Sequence, residues 1–449
     1  MGGKPVFSGA QGCVFIPSLK CKNQPRDISS NNISKLGYKE GSDFELREYE
    51  KIAPVITKIK NHEKYFSIKV NSCEPDTLMP DDLVQFDKVC RNFKQDTITA
   101  ENVNNNLSKL RAINMPNLGV DLRVWVDEMP LDSRRLRLLN DHISDVLMHA
   151  VVPMNTLGVM HNDLKSENLM ITPTETNVRI IDWGLAGTTS PHQIIPARYF
   201  MNNPVTFNRP FSTMIISSEI DDLYKKHLAK MKLAQPTAPE QLRPFVQDLY
   251  KEYRGLAPSG HEYLTYIFTS MFGLKSETAS RILSAAVEKY NAEILMNFTD
   301  PTRREFMLHE YFDKVYRFNT DVWGTMSVFY SMFMLPRSHF LMPDAVYQSV
   351  LQRYRNMFLN IVFANGHRRM NVNDIVKGLR EINKLIDNGH NGPNGHNGHN
   401  GHQLQKQHQR HRRSSIKKKM VRFNISHTRR KHHKSRVLTP HPNKGILMH

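Results

Sequence analysis

Cysteine is scarce in this chain. There are four in 449 residues, Cys13, Cys21, Cys73 and Cys90, and their spacings fit no zinc pattern. So few thiols in a large chain predict a reducing compartment. No basic-then-apolar leader opens the sequence, which predicts an intracellular protein that is not secreted. No apolar run approaches the roughly 18 residues of a membrane span, so no membrane partner is expected. Gly2 follows Met1, but Val6 stands where N-myristoylation requires Ser or Thr. The hydrophobic share, 39%, is low for one packed body of this length.

Acidic residues are absent altogether after Asp387. Fourteen of the 61 Lys and Arg lie in 388–449, so the first 387 residues hold 47 basic against all 43 acidic side chains. The body is close to neutral and the excess charge sits in the tail. Its N-G-H repeats (388–402) cannot build a core and read as a solvated linker. The basic runs beyond them predict salt-dependent binding to nucleic acid or another polyanion, with a merely solubilising extension as the plainer reading. Arg412-Arg413-Ser414-Ser415 and Thr439-Pro440 have the form of phosphorylation sites, and K-M-V-R-F (419–423) resembles a phosphatase docking motif.

Within the body, P-V-F-S-G-A-Q-G-C-V-F-I-P-S-L-K-C (5–21) predicts two strands joined by a glycine turn, and 31–37 a third strand. A helix is expected from Ser42, with Ser42 and Glu45 at capping-box spacing and Phe44, Glu48, Ile52, Val55 and Ile59 on one face. Pro54 is expected to kink or divide it. Residues 65–70 and 110–115 read as strands. After Gly119 the pattern turns helical: 134–157, several helices over 219–317, a buried helix over 320–334 and the last helices over 350–386.

Two short stretches carry chemistry. V-M-H-N-D-L-K-S-E-N-L-M-I (159–171) puts a carboxylate, Asp163, a cation, Lys165, and an amide, Asn168, within six residues. V-R-I-I-D-W-G (178–184) ends a strand on Asp182, followed by an aromatic and Gly184. Phosphoryl transfer requires these parts: a group to accept the hydroxyl proton, a cation for the moving phosphoryl group, and oxygen ligands for metal.

H-N-D-L-K-S-E-N resembles the protein-kinase catalytic loop H-R-D-L-K-x-x-N, and I-D-W-G resembles the D-F-G magnesium motif. The resemblance covers roughly residues 5–387. It implies an α+β, two-lobed protein-kinase-like fold, with a small strand-rich N-lobe (1–118), a large helical C-lobe (119–387, with a helical insertion about 219–317) and a disordered basic tail (388–449). It implies ATP and Mg2+ as cofactors. Carried over, Asp163 is the catalytic base, Lys165 the γ-phosphate contact, and Asn168 and Asp182 the magnesium ligands. Lysine after Asp-Leu resembles the serine/threonine class, so protein Ser/Thr side chains are the implied substrates. Gly9, Gly12 and Val14 resemble the later part of the glycine-rich loop, with Phe7 in place of its first glycine; an ordinary hairpin turn explains them equally. Lys35 is the expected phosphate-binding strand lysine, Lys20 and Lys22 being too close to the loop. Glu48 is its expected helix partner, with Glu45 assigned to the helix cap. Asp121, near the expected hinge (116–122), is a possible ribose contact. Asp321, Trp323 and Gly324 resemble the D-x-W-x-x-G helix start, where a buried Asp holds the catalytic-loop backbone; capping its own helix is the alternative.

The departures are informative. Asn162 replaces the arginine that pairs with a phosphorylated activation loop, so activity without that modification is expected. No A-P-E triplet follows; P-V-T-F-N-R-P-F-S (204–212) stands instead. With S-G-A-Q-G-C-V-F-I-P-S-L-K-C and I-S-K-L, these features resemble the divergent serine/threonine kinases of large nucleocytoplasmic DNA viruses, iridovirus-like ones in particular, which implies host cytoplasm or the virion. The rivals are a small-molecule phosphotransferase of the aminoglycoside-kinase type, and a pseudokinase scaffold with a nucleic-acid-binding tail.

Overall fold

A five-stranded antiparallel sheet opens the chain: β1 (Lys4–Ser8), β2 (Cys13–Ile16), β3 (Asn32–Tyr38), β4 (Asn71–Cys73) and β5 (Leu110–Pro116), in the order β1-β2-β3-β5-β4. These features come from a computed structural model, which describes residues 3–8, 12–27, 29–172, 174–190, 194–196, 206–217, 219–233, 235–256 and 258–390. The described residues belong to one compact unit, Met1–Gly398. Gly9 and the basic tail from 391 onward, with its proposed polyanion and phosphorylation sites, lie outside them.

Period-2 alternation gives the sheet two distinct faces. Cys13 pairs across with Leu36, and Val14 with Lys35. Directly opposed residues point the same way, so Cys13, Phe15 and Leu36 share one face and Val14 and Lys35 the other. Gly12 enters β2 where a side chain has no room: a Cβ there would lie 2.5 Å from the Leu36 carbonyl oxygen and 3.3 Å from Lys35 Cγ. Gly12→Ala is therefore expected to displace β3 beside Lys35 and destabilise the protein by about 1–3 kcal/mol, read by denaturant unfolding.

Helix α1 (Lys39–Ile56) follows β3 directly and lies on the Lys35 side. It differs from the expected helix in start, face and break. It begins three residues before Ser42, so Glu45 is not a cap. Its buried residues are Ser42, Glu45, Glu48, Tyr49, Ile52 and Ile56, while Phe44 is 43% exposed. Pro54 sits in the last turn, so the i→i−4 bond it removes lies at the helix end, and it does not divide the helix.

Residues 65–70 are not a strand. Phe66 makes only an isolated bridge to Ile180, and the Ser67 N–H donates to the Ile180 carbonyl at 3.0 Å. This segment ties the front of the chain to the strand Val178–Ile180 instead of extending the sheet. The strand that pairs with β5 is β4, a few residues later.

The other face of the sheet carries a layer the sequence reading did not foresee. Residues 74–109 fold into short helical turns, including Pro80–Leu83, Phe86–Val89 and Val103–Lys109. Leu78, Phe86, Cys90, Phe93, Ile98 and Val103 bury against Cys13, Phe15 and Leu36, forming a separate hydrophobic core. All four cysteines are paired: Cys13 with Cys90 of this layer, and Cys21 with Cys73 at the end of β4, Cα–Cα 5.2 and 5.7 Å. No cysteine among the described residues is therefore a free thiol. The partners are 77 and 52 residues apart in sequence, so no local spacing revealed them.

The rest is mainly helical, around a large core that holds Trp183, Trp323, Phe211 and Tyr354. The helix Ser133–Val146 runs on through a π-turn to Thr156. A three-stranded sheet joins Val120–Asp121, Leu169–Ile171 and Val178–Ile180. The 219–317 region contains the helices Ile220–Lys230, Arg243–Leu256, Pro258–Phe272 and Ser276–Asn297. The expected 320–334 helix is two helices, Arg317–Met326 and Tyr330–Met334, joined by one 3-10 turn. The last helix continues to His390. Among the described residues, no helix is long and apolar enough to cross a membrane.

Candidate active site

H-N-D-L-K-S-E-N forms the loop between the strands Val159–Met160 and Leu169–Ile171. Asn162 turns the chain at φ +64°, a conformation asparagine tolerates better than most residues. The fully buried Asp321, from the helix Arg317–Met326, holds that turn. One of its oxygens accepts from the Asn162 N–H at 2.8 Å, and the other from the His161 N–H at 2.8 Å and Asn155 Nδ2 at 2.7 Å. Asp321 lies inside its helix, so it is no cap. His161 Nε2 faces the Ile181 carbonyl, an acceptor only, and therefore carries the proton. Its Nδ1 is then free to accept from the Asp163 N–H at 3.3 Å.

Both oxygens of the Asp163 carboxylate are held. Oδ2 meets Lys165 Nζ at 2.7 Å and Asn168 Nδ2 at 3.0 Å. Oδ1 meets Asn208 Nδ2 at 2.9 Å. Asn168 also donates to the Asp163 carbonyl at 2.7 Å, so the amide nitrogen is committed to the loop and the amide oxygen is the group left for a ligand.

Asp182 follows the strand Val178–Ile180 at φ +63°. Trp183 anchors this turn: its indole is buried, stands 4.8 Å from the His161 ring, and donates to the Ser67 carbonyl at 3.3 Å. The Ile181 N–H donates to the Asn168 carbonyl at 3.1 Å, which joins the two motifs.

Lys35 Nζ meets Glu45 Oε2 at 2.7 Å, a pair that is mostly buried. Electrostatics ties it to Asp182. The Lys35 ammonium holds the Asp182 carboxyl below the usual carboxylate range against the cost of burial, and Lys165 acts in the same direction. Burial disfavours charge on Lys35, but Asp182 and then Glu45 outweigh it and raise its pKa. Burial and the Asp182 charge raise the Glu45 carboxyl, and Lys35 opposes them.

The helix partner of Lys35 is thus Glu45 and not Glu48, which pairs with Lys51 one turn along its own helix. The capping-box spacing misdirected the assignment: a helix that begins at Lys39 turns Glu45 inward. Glu45→Gln leaves Lys35 without its charged partner in a buried place, and such a misplaced side chain is expected to cost about 100-fold in kcat/KM. Glu48→Gln is expected to stay near wild type, and steady-state rates of the two variants decide between them.

Val14 lies on the Lys35 face, and Gly12 is needed for close strand approach. Asp121 caps the helix Leu122–Glu128, accepting from the Val124 N–H at 2.8 Å, and burial raises its carboxyl pKa. Asn208 was missed as a site residue. Its only signal in the sequence was its place in F-N-R-P-F-S, where an A-P-E triplet was expected.

No protein-family model matches the chain. A 40-residue stretch, 9% of this chain, is 50% identical to casein kinase II subunit alpha' of Saccharomyces cerevisiae. It spans 12% of that protein's length. Over that stretch the chain is kinase-like. The likeness stops there, so a wider activity rests on the side chains described above.

Proposed function

We propose that the protein is an ATP- and magnesium-dependent serine/threonine protein kinase with a two-lobed fold, the β1–β5 sheet and α1 in the small lobe and the helices after Gly119 in the large one. One observation supports this most: Lys35, Glu45, Asp182, Lys165 and Asp163 form one electrostatically linked set, although they come from four places in the sequence. The donor set suits the cofactors. Asp182 and the Asn168 amide oxygen are hard oxygen ligands of the kind magnesium takes alongside water and phosphate. Lys35, kept charged by two carboxylates, suits a phosphate. When bound, magnesium nucleotide supplies the phosphoryl group and neutralises its charge.

In this reading Asp163 orients the substrate hydroxyl and accepts its proton. Lys165 faces the charge that develops on the transferred group. Lys35 and Glu45 hold the nucleotide's phosphates to the sheet, and Asp121 meets the ribose. The basic tail recruits polyanionic partners, and the finer likeness to nucleocytoplasmic DNA virus kinases puts the enzyme in host cytoplasm or the virion.

The test is transfer from labelled ATP, with magnesium, to a basic protein, run beside a panel of sugars and aminoglycosides. Label on Ser or Thr of the protein alone supports the reading. Label on the small molecules alone, or no turnover with binding intact, overturns it. Comparing the full chain with 1–390 shows whether the tail selects the substrate.

A further inference from the structure

We propose that Asn208 is a positioning residue for the Asp163 carboxylate, supplied by the segment that follows the D-W-G turn. The inference rests on the reading of Asp163 as the proton acceptor. Asn208 is 3% exposed, and its Nδ2 donates to Asp163 Oδ1 at 2.9 Å and to the Leu164 carbonyl at 3.1 Å. The other carboxylate oxygen is held from within the loop, by Lys165 and Asn168. Without Asn208, every donor that aims the carboxylate lies on one side, and rotation toward Lys165 is unopposed. With it, the plane of the carboxylate is fixed from two directions.

The segment around Asn208 is built to hold that amide still. The Phe207 carbonyl accepts from Trp323 Nε1 at 3.0 Å. Arg209, itself buried, donates from Nε to the Asn162 carbonyl at 2.8 Å. Phe211 packs edge-on against Trp323 at 4.9 Å. Gly324 permits the approach: a Cβ there would lie 2.5 Å from the Leu164 carbonyl and 3.2 Å from the Asn208 carbonyl.

An amide can donate here, whereas an isosteric carboxylate cannot. That separates positioning from packing. Asn208→Ala is expected to lower kcat about 10- to 100-fold, the range for a lost hydrogen bond to a charged group. KM for ATP is expected to stay within about twofold, since binding is not touched. Asn208→Asp keeps the shape but sets a carboxylate against Asp163, and is expected to lose more kcat than the alanine variant. Wild type and Asp163→Ala are measured in the same assay, and thermal unfolding confirms that each variant is folded. Should Asn208→Ala fail to fold, Asn208→Asp decides the matter.

If Asp163→Ala is as active as wild type, the reading of Asp163 fails first. If Asp163→Ala is inactive but Asn208→Asp matches wild type, Asn208 only fills space and the proposal is overturned. The same holds if the loss at Asn208 appears in KM for ATP and not in kcat.

Discussion

Asp163→Ala is expected to lower kcat for protein phosphorylation by about 100- to 10,000-fold, the usual contribution of a positioned general base. The side chain is 19% exposed, so water can enter in its place and accept from the three donors it leaves. The loop keeps its shape, because Asp321 sets it through the backbone of His161 and Asn162 and not through Asp163. The lost activity therefore comes without lost structure: KM for ATP and the unfolding midpoint should change little. Initial rates with labelled ATP, alongside calorimetric nucleotide binding, give both numbers. Retained turnover in a folded Asp163→Ala protein would remove the basis of the proposed chemistry.

The second large effect is on stability. The cross-links Cys13–Cys90 and Cys21–Cys73 close loops of 77 and 52 residues. Chain-entropy arithmetic gives about 4 kcal/mol for each. Reduction should therefore lower the unfolding free energy by several kcal/mol, and the effect should be local at first. Cys13–Cys90 ties β2 to the 74–109 layer and Cys21–Cys73 ties the segment after β2 to the end of β4, whereas the larger core contains no cysteine. Unfolding in denaturant with and without a reductant, read by hydrogen exchange, should show β2 and the residues around Phe86 losing protection before the helix Arg317–Met326 does. Equal loss in both places would mean that the layer does not buttress the sheet.

The elements legible in the sequence were those with a strong local pattern. The hairpin of β1 and β2, strand β3, strand β5 and the two motif turns lie where alternation and short motifs placed them. The pairing of Lys35 with a glutamate of the next helix was also readable, but not which glutamate. Of the expected face Phe44, Glu48, Ile52, Val55 and Ile59, the structure buries Glu48, Ile52 and Ile59 but exposes Phe44, and it turns Glu45 inward as well. What could not be read was set by contacts distant in sequence. The 74–109 layer has no strong period, because its short turns are held by Phe86, Phe93 and the disulfides, not by their own propensity. Residues 65–70 alternate like a strand, yet Tyr65 and Phe66 bury against the helical region and the pairing goes to β4. Asn208 acts across 45 residues and Asp321 across 159, distances at which a single sequence gives no pairing signal.

Asp321 has one further consequence, for the order in which the chain is made. Translation delivers His161 and Asn162 long before the side chain that fixes them. A nascent chain on the ribosome can assemble the front sheet and α1 early, since their partners are close in sequence. The turn at Asn162 has no acceptor for its two buried N–H groups until residue 321 has cleared the exit tunnel. An arrested or prematurely terminated product ending before that point would present the Lys35 face of the sheet with no ordered loop opposite it.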